Sequence, residues 1–227
     1  MVRARKPDQA CIDAEGGARP VTPPFVSRNI PPEDLDDVFG GEAEEYQLWR
    51  PHICGVCCVK MIGDAAGVTN GDTLMELVQD FVAAGALVVR DDGQVDGAFH
   101  HPMARVIEDL GLHATITGHL SVPTVAELVT HGSMVILSCD LAAMTGGRQS
   151  GGHLVLVYGY DAEQEAFLVH DCSEILGDDG RAAQVDATEL ARISNTKGLL
   201  VAPPAAHRPV SMPSTAAPHA DGVCTTM

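Results

Sequence analysis

Three short apolar runs constrain the fold more than any other feature: Met134-Val135-Ile136-Leu137-Ser138, Leu154-Val155-Leu156-Val157-Tyr158 and Phe167-Leu168-Val169-His170-Asp171. Runs of this length, bounded by turn residues, read as buried strands, and all are far too short to cross a bilayer. The residues before them carry a helical period instead. Helices are predicted over 54–66, over 72–86 (Leu74, Leu77, Val78, Phe81 and Val82 recur at helical spacing), over 99–110 and over 123–130. His113–Thr117 reads as a short strand, 186–193 as a helix and 198–201 as a closing strand, while Asp91-Asp92-Gly93 marks a turn. Helices first and a mainly antiparallel sheet afterwards define an α+β domain.

The domain is expected to occupy residues 46–203. Residues 1–45 hold six prolines, Pro7, Pro20, Pro23, Pro24, Pro31 and Pro32, and an acidic patch from Glu33 to Asp37. They read as an extended arm that either wraps the domain or stays unstructured, with one short helix after Pro32. Residues 204–227, rich in Pro, Ala, Ser and Thr, read as a disordered tail. A net charge of −17 excludes the basic footprint that a nucleic-acid-binding surface needs. No apolar segment suits a membrane span or a signal peptide, so the chain reads as soluble and cytoplasmic, with no membrane partner. The seven cysteines (Cys11, Cys54, Cys57, Cys58, Cys139, Cys172 and Cys224) are odd in number and partly crowded, which fits reduced thiols better than a disulfide framework.

The candidate chemistry begins at Cys54. A polar approach, Gln47-Leu48-Trp49-Arg50-Pro51, runs directly into the first apolar helix, so Cys54 falls at a helix N-terminus. Unpaired backbone N–H groups and the macrodipole favour a thiolate there, and the same groups can hold an oxyanion. Cys57 and Cys58 share a helical face with Cys54 and read as small buried hydrophobes. The Cys54-Gly55-Val56-Cys57 spacing also suits redox chemistry, and His52, Cys54, Cys57 and Cys172 could hold zinc. A redox site wants a strand where Arg50-Pro51-His52 stands, and no second spaced pair supports zinc; no metal or cofactor is expected.

A base is found in the second half. His153 follows Gly151-Gly152 and opens a buried strand, and the polar loop around Glu163 joins that strand to the next as a hairpin. A turn centred near Glu163 sets Val155 opposite Asp171. His153 and Asp171 are then diagonal neighbours on one face, with His170 pointing away. A slip of one residue would undo this. Nucleophile, base and orienter follow in workable order, although His153 as a buried structural histidine and Asp171 as a turn cap are the competing readings. Gly146-Gly147 and Gly151-Gly152 suggest a flexible loop beside His153, and Trp49 is expected to pack.

These pieces resemble the papain-like cysteine peptidases of the bacteriocin-processing type, which remove leader peptides after a double glycine. The resemblance rests on Cys54-Gly55-Val56-Cys57, on Val135-Ile136-Leu137-Ser138, on Gly152-His153 through Tyr158-Gly159-Tyr160-Asp161, and on Phe167 to Asp171. It implies a papain-like fold with Cys54 as nucleophile, His153 as base and Asp171 as orienter. The family sets an oxyanion-stabilising Gln six residues before its Cys. Leu48 stands there in this chain, and Gln47 lies one residue further back. The expected activity is cysteine-dependent acyl transfer, in its simplest form cleavage of a peptide. A biosynthetic acyltransferase or cyclase using the same residues on a thioester or peptide is the alternative, and a peptide-binding module without turnover is a third reading. The expected partner is a precursor peptide or a carrier protein.

Overall fold

In a computed structural model the described residues are 21–202; the ends of the predicted arm and tail, 1–20 and 203–227, lie outside them. A 3₁₀ turn (Pro32–Asp34) leads into α1 (Leu35–Val38) and α2 (Ala43–Trp49), followed by α3 (Cys54–Ala65) and α4 (Leu74–Ala84). A small hairpin, β1 (Leu87–Val89) and β2 (Val95–Gly97), precedes α5 (His100–Asp109), β3 (His113–Thr117) and α6 (Val122–Thr130). Then come β4 (Met134–Asp140), α7 (Leu141–Thr145), β5 (Gly152–Asp161), β6 (Ala166–His170), β7 (Ala183–Asp186), α8 (Ala187–Ile193) and β8 (Ser194–Ala202). Six strands form one antiparallel sheet in the order β3-β8-β4-β5-β6-β7. Helices and an antiparallel sheet in this arrangement are the α+β, papain-like fold.

The apolar runs are continuous because both sheet faces are covered. Leu154, Leu156 and Tyr158 join the core built by α3, α4 and α5, whereas Val155 and Val157 join the core on the other face, beneath α6 and α8. The alternation repeats on β4, with Ile136 in the first core and Val135 and Leu137 in the second. None of the helices formed by the described residues is long and apolar enough to cross a membrane.

The hairpin that carries the site has a register change inside it. Near the turn Asp161 pairs with Ala166 and Tyr160 with Phe167, but beyond Tyr158 the pairing is Val157 with Val169 and Leu156 with His170. A bulge at Tyr158 therefore absorbs one residue. Only past that bulge does the pairing set Val155 against Asp171, the register inferred from loop length.

Residues 21–42 pack against the domain. Ile30 and Phe39 are buried in the first core. The Tyr46 hydroxyl donates to Arg28 O at 2.7 Å and accepts from Ile30 N at 2.8 Å. Arg28 N donates to Cys172 O, and His170 Nε2 bonds Pro23 O at 3.0 Å. α2 went unread in the sequence because its N-cap is Glu42, not Ser or Thr; Glu42 and Glu45 nevertheless make a reciprocal capping box. Tyr46→Phe removes both hydroxyl bonds and strands the buried Ile30 N–H. A loss of about 1–3 kcal/mol is expected in urea unfolding, and a variant within 0.3 kcal/mol of the parent, roughly the error of such comparisons, would mean that the tie is idle.

Candidate active site

α3 begins where Pro51 and a short turn end α2. Its N-cap, Ile53, has no side chain able to cap, so the first N–H groups of α3 are left without intrahelical acceptors at Cys54. The helix lies close on β5 because its second residue is glycine. A methyl at Gly55 would come within 2.9 Å of Ala98 Cβ, 3.1 Å of Leu154 Cδ1 and 3.2 Å of Met103 Sδ. That close approach brings Cys54 to the start of β5, where His153 stands.

His153 Nε2 lies 2.7 Å from Asp171 Oδ1, with both side chains buried. This leaves Nδ1 as the ring nitrogen available to Cys54, which lines the same cleft as His153. Asp171 is held on every side: Oδ1 also accepts from Ser173 N at 2.9 Å, and Oδ2 accepts from Ile175 N at 2.9 Å and Leu176 N at 3.1 Å. The loop after β6 thus wraps the carboxylate, and a Cβ at Gly180 would collide with Asp171 O at 2.1 Å.

The electrostatics follow from these contacts. Burial opposes charge on His153, but the hydrogen bonds to Asp171 and Cys54 more than offset it and push its pKa up to about 10. Burial likewise opposes a thiolate at Cys54, yet the His153 hydrogen bond and charge bring its pKa below the ordinary thiol value, with a backbone hydrogen bond at Leu154 assisting. Asp171 is held below the usual carboxylate range: its burial is outweighed by His153 and the loop N–H groups. The neighbouring thiols behave oppositely. Burial raises Cys58 well above the ordinary value and Cys139 to about 12, and Cys172 is raised by its hydrogen bond to Cys57 and by burial. Of Cys54, Cys58, Cys139 and Cys172, Cys54 alone ends below the ordinary thiol value.

His170 does not join this group. It faces the N-terminal arm, accepting from Ala182 N at Nδ1 and lying between the rings of Phe25 and Tyr158. Gln47 is on α2, whose Tyr46 and Trp49 turn inward; the phase of that helix leaves Gln47 and Leu48 exposed. His153, Asp171 and Cys172 offer ligand atoms within 4.8 Å of one another, but both Asp171 oxygens are already engaged by His153 and the loop N–H groups, so the set presents no open cage.

Cys54 and His153 open into a cleft of about 500 Å³, also lined by Gly97, Ala98, Gly152 and Leu154. Its remaining wall was missed in the sequence: His100, Ser138, Asn195 and Lys197. Ser138 Oγ and His100 Nε2 are 2.9 Å apart. His100 stands at a helix start, which is usually exposed, and nothing in the sequence pairs a helix start with a distant strand residue.

The Peptidase_C39 like family matches residues 43–192. No functionally curated protein matches the chain. Among solved structures, a putative C39-like peptidase from Bacillus anthracis is similar at 16% identity over 79% of this chain and 94% of its own, with a TM-score of 0.51. A double glycine motif protease from an AMS/PCAT transporter, solved in complex with the leader peptide, is similar at 14% identity over 66% of this chain and 84% of its own, with a TM-score of 0.43. The family match spans well over half of the chain and takes in Cys54, His153 and Asp171, so the protein belongs to the Peptidase_C39 like family.

Proposed function

We propose that the protein is a cysteine peptidase that cleaves a peptide bond through Cys54, His153 and Asp171. The observation that carries this reading is the buried 2.7 Å pair of His153 and Asp171 with Cys54 lining the same cleft, in a member of a peptidase family. The imidazolium keeps Sγ deprotonated, and Sγ attacks the scissile carbonyl. The N–H groups at the start of α3 stabilise the oxyanion. As the tetrahedral intermediate collapses, His153 Nδ1 gives its proton to the leaving amine, and the thioester on Cys54 is left. Neutral His153 then takes a proton from water, hydroxide adds to the thioester, and collapse returns the thiolate and the imidazolium. Asp171 fixes the ring through Nε2 at both stages. An acyltransferase would share every step up to the thioester and differ only in its acceptor. The reduced, buried thiols suit a reducing compartment such as the cytoplasm.

Cys54→Ala is expected to abolish turnover with the unfolding transition intact, whereas Cys57→Ala and Cys58→Ala keep most activity. Equal losses at all three positions would indicate chemistry of the cysteine cluster instead of a single nucleophile. Gln47 is the side-chain oxyanion donor expected from the sequence. Loss of one working donor costs about 10²–10³ in kcat; since Gln47 is exposed and does not line the cleft, Gln47→Ala is expected to stay within about tenfold of the parent, well short of that loss.

The pH dependence follows from the two shifts. The Cys54 pKa is lowered, so its reactive form appears as pH rises and is present below the ordinary thiol range. His153 holds its proton until about pH 10, so turnover needing a general acid falls away above that point. Alkylation of Cys54 by iodoacetamide should therefore reach half its plateau below pH 9, the ordinary thiol value. In His153→Ala, only the Leu154 backbone hydrogen bond and the Arg28 charge are left to oppose burial, and the midpoint should move above that value. Asp171→Asn should slow turnover more than alkylation, and His170→Ala should alter neither. A midpoint insensitive to His153 would overturn the ion-pair reading.

A further inference from the structure

On the far side of the cleft from α3, β4 and β8 lose register at one place. Leu137 pairs with Gly198 and Cys139 with Ser194, so Ser138 alone stands opposite Asn195, Thr196 and Lys197. The two extra residues are thrown out of the ladder as a bulge, a device that re-aims side chains beside functional sites. Its apex is strained: Thr196, β-branched, has φ of 57°. Three bonds hold it there: Thr196 N to Ser194 Oγ at 2.9 Å, Leu120 N to Thr196 O at 2.8 Å, and Thr196 Oγ1 to Gly118 O at 3.5 Å. The strand re-enters at Gly198, where a Cβ would meet Ile136 O at 2.2 Å. The residues on either side of the apex, Asn195 and Lys197, are the two that line the cleft.

Lys197 has no ion-pair partner among the described residues, whereas Lys60 is bound to Asp64 at 2.5 Å. The protein as a whole carries 31 acidic against 14 basic residues, so its general field repels anions. Beside Lys197, His100 is kept neutral-leaning by burial, by Lys197 and by His101, and it holds Ser138. The wall thus offers one free cation flanked by neutral hydrogen-bonding groups.

We propose that Lys197, with Asn195 beside it, forms a subsite that selects substrates bearing a carboxylate close to the bond attacked by Cys54. This rests on Cys54 being the nucleophile of the cleft. The subsite is a specificity element on the sheet side of the cleft, built by the strained bulge and independent of the His153–Asp171 pair. An ammonium and a carboxylate meet as compact charges, and the Asn195 amide and the Ser138–His100 pair supply the directional bonds a carboxylate needs.

The test uses charge alone and needs no known substrate. Rates of Cys54 alkylation by iodoacetate and by iodoacetamide are measured on the full chain by peptide mapping, at low salt and neutral pH. A charge sharing a cleft of this size acts over about 10 Å with partial screening, which makes a change of about threefold readable. Lys197→Gln should lower the iodoacetate-to-iodoacetamide ratio by about threefold, Lys197→Glu should lower it further, and high salt should shrink both effects. Taking the ratio cancels any change in thiolate fraction, and comparing the ratio between parent and variant removes the constant field of Arg28, which also acts on Cys54. An unchanged ratio in both variants, with Cys54 still reactive, overturns the subsite and leaves the nucleophile standing. Failure of both reagents to modify the parent Cys54 overturns the nucleophile, and the subsite with it. Protection of Cys54 from iodoacetamide by acetyl-Ala-Ala-Asp-amide, against acetyl-Ala-Ala-Ala with a free carboxylate, then distinguishes an acidic side chain from a chain terminus. Protection no better than that by neutral acetyl-Ala-Ala-Ala-amide counts against the proposal.

Discussion

The close approach of α3 to β5 is the constraint on which the rest of the site depends. With hydrogen at Gly55 the helix settles against Leu154, Ala98 and Met103, and its first residue is carried to the first turn of the strand that bears His153. Neither Cys54 nor His153 would be unusual alone. Each is buried, and burial by itself would leave a neutral thiol and a neutral imidazole. Set in contact they charge each other, and Asp171 decides the outcome because its own charge is secured by three backbone N–H groups besides the imidazole. The loop that follows β6 is thus as much a part of the electrostatics as the three side chains.

Much of this was legible in the sequence, for identifiable reasons. The long apolar runs and helical periods carry strong signals, and the α+β order followed from them. The placement of Asp171 beside His153 followed from loop length, but through a compensation that no pattern discloses. The true turn is offset by one residue, and the bulge at Tyr158 restores the register on the site side. Had the bulge been absent, the same reasoning would have set Asp171 on the wrong face.

What the sequence hid has a common cause. α2 begins with a glutamate in place of a hydroxyl cap, and the phase that buries Tyr46 and Trp49 sends Gln47 to solvent. The wall of His100, Ser138, Asn195 and Lys197 joins residues far apart in the chain, through a bulge that looks in sequence like an ordinary polar strand entry, Ser194-Asn195-Thr196-Lys197. Local periodicity informs on faces of single elements and is silent on which elements meet. Resemblance to a family extends only to positions that the family shares, and of this wall only Ser138 is among the residues that carried it.

The way residues 21–42 are bound bears on what counts as the folding unit. The region in common with the family begins at residue 43, yet the core does not. Ile30 and Phe39 fill places among the helices, and Tyr46, inside the shared region, spends its hydroxyl entirely on the segment outside it. A truncated protein cut at the family boundary would open a hydrophobic pit over α3 and α4 and leave a buried phenol without partners. The arm is therefore an integral wall of the enzyme and no removable extension, and the smallest autonomous fragment of this protein must reach back at least to Pro23, the residue that His170 holds.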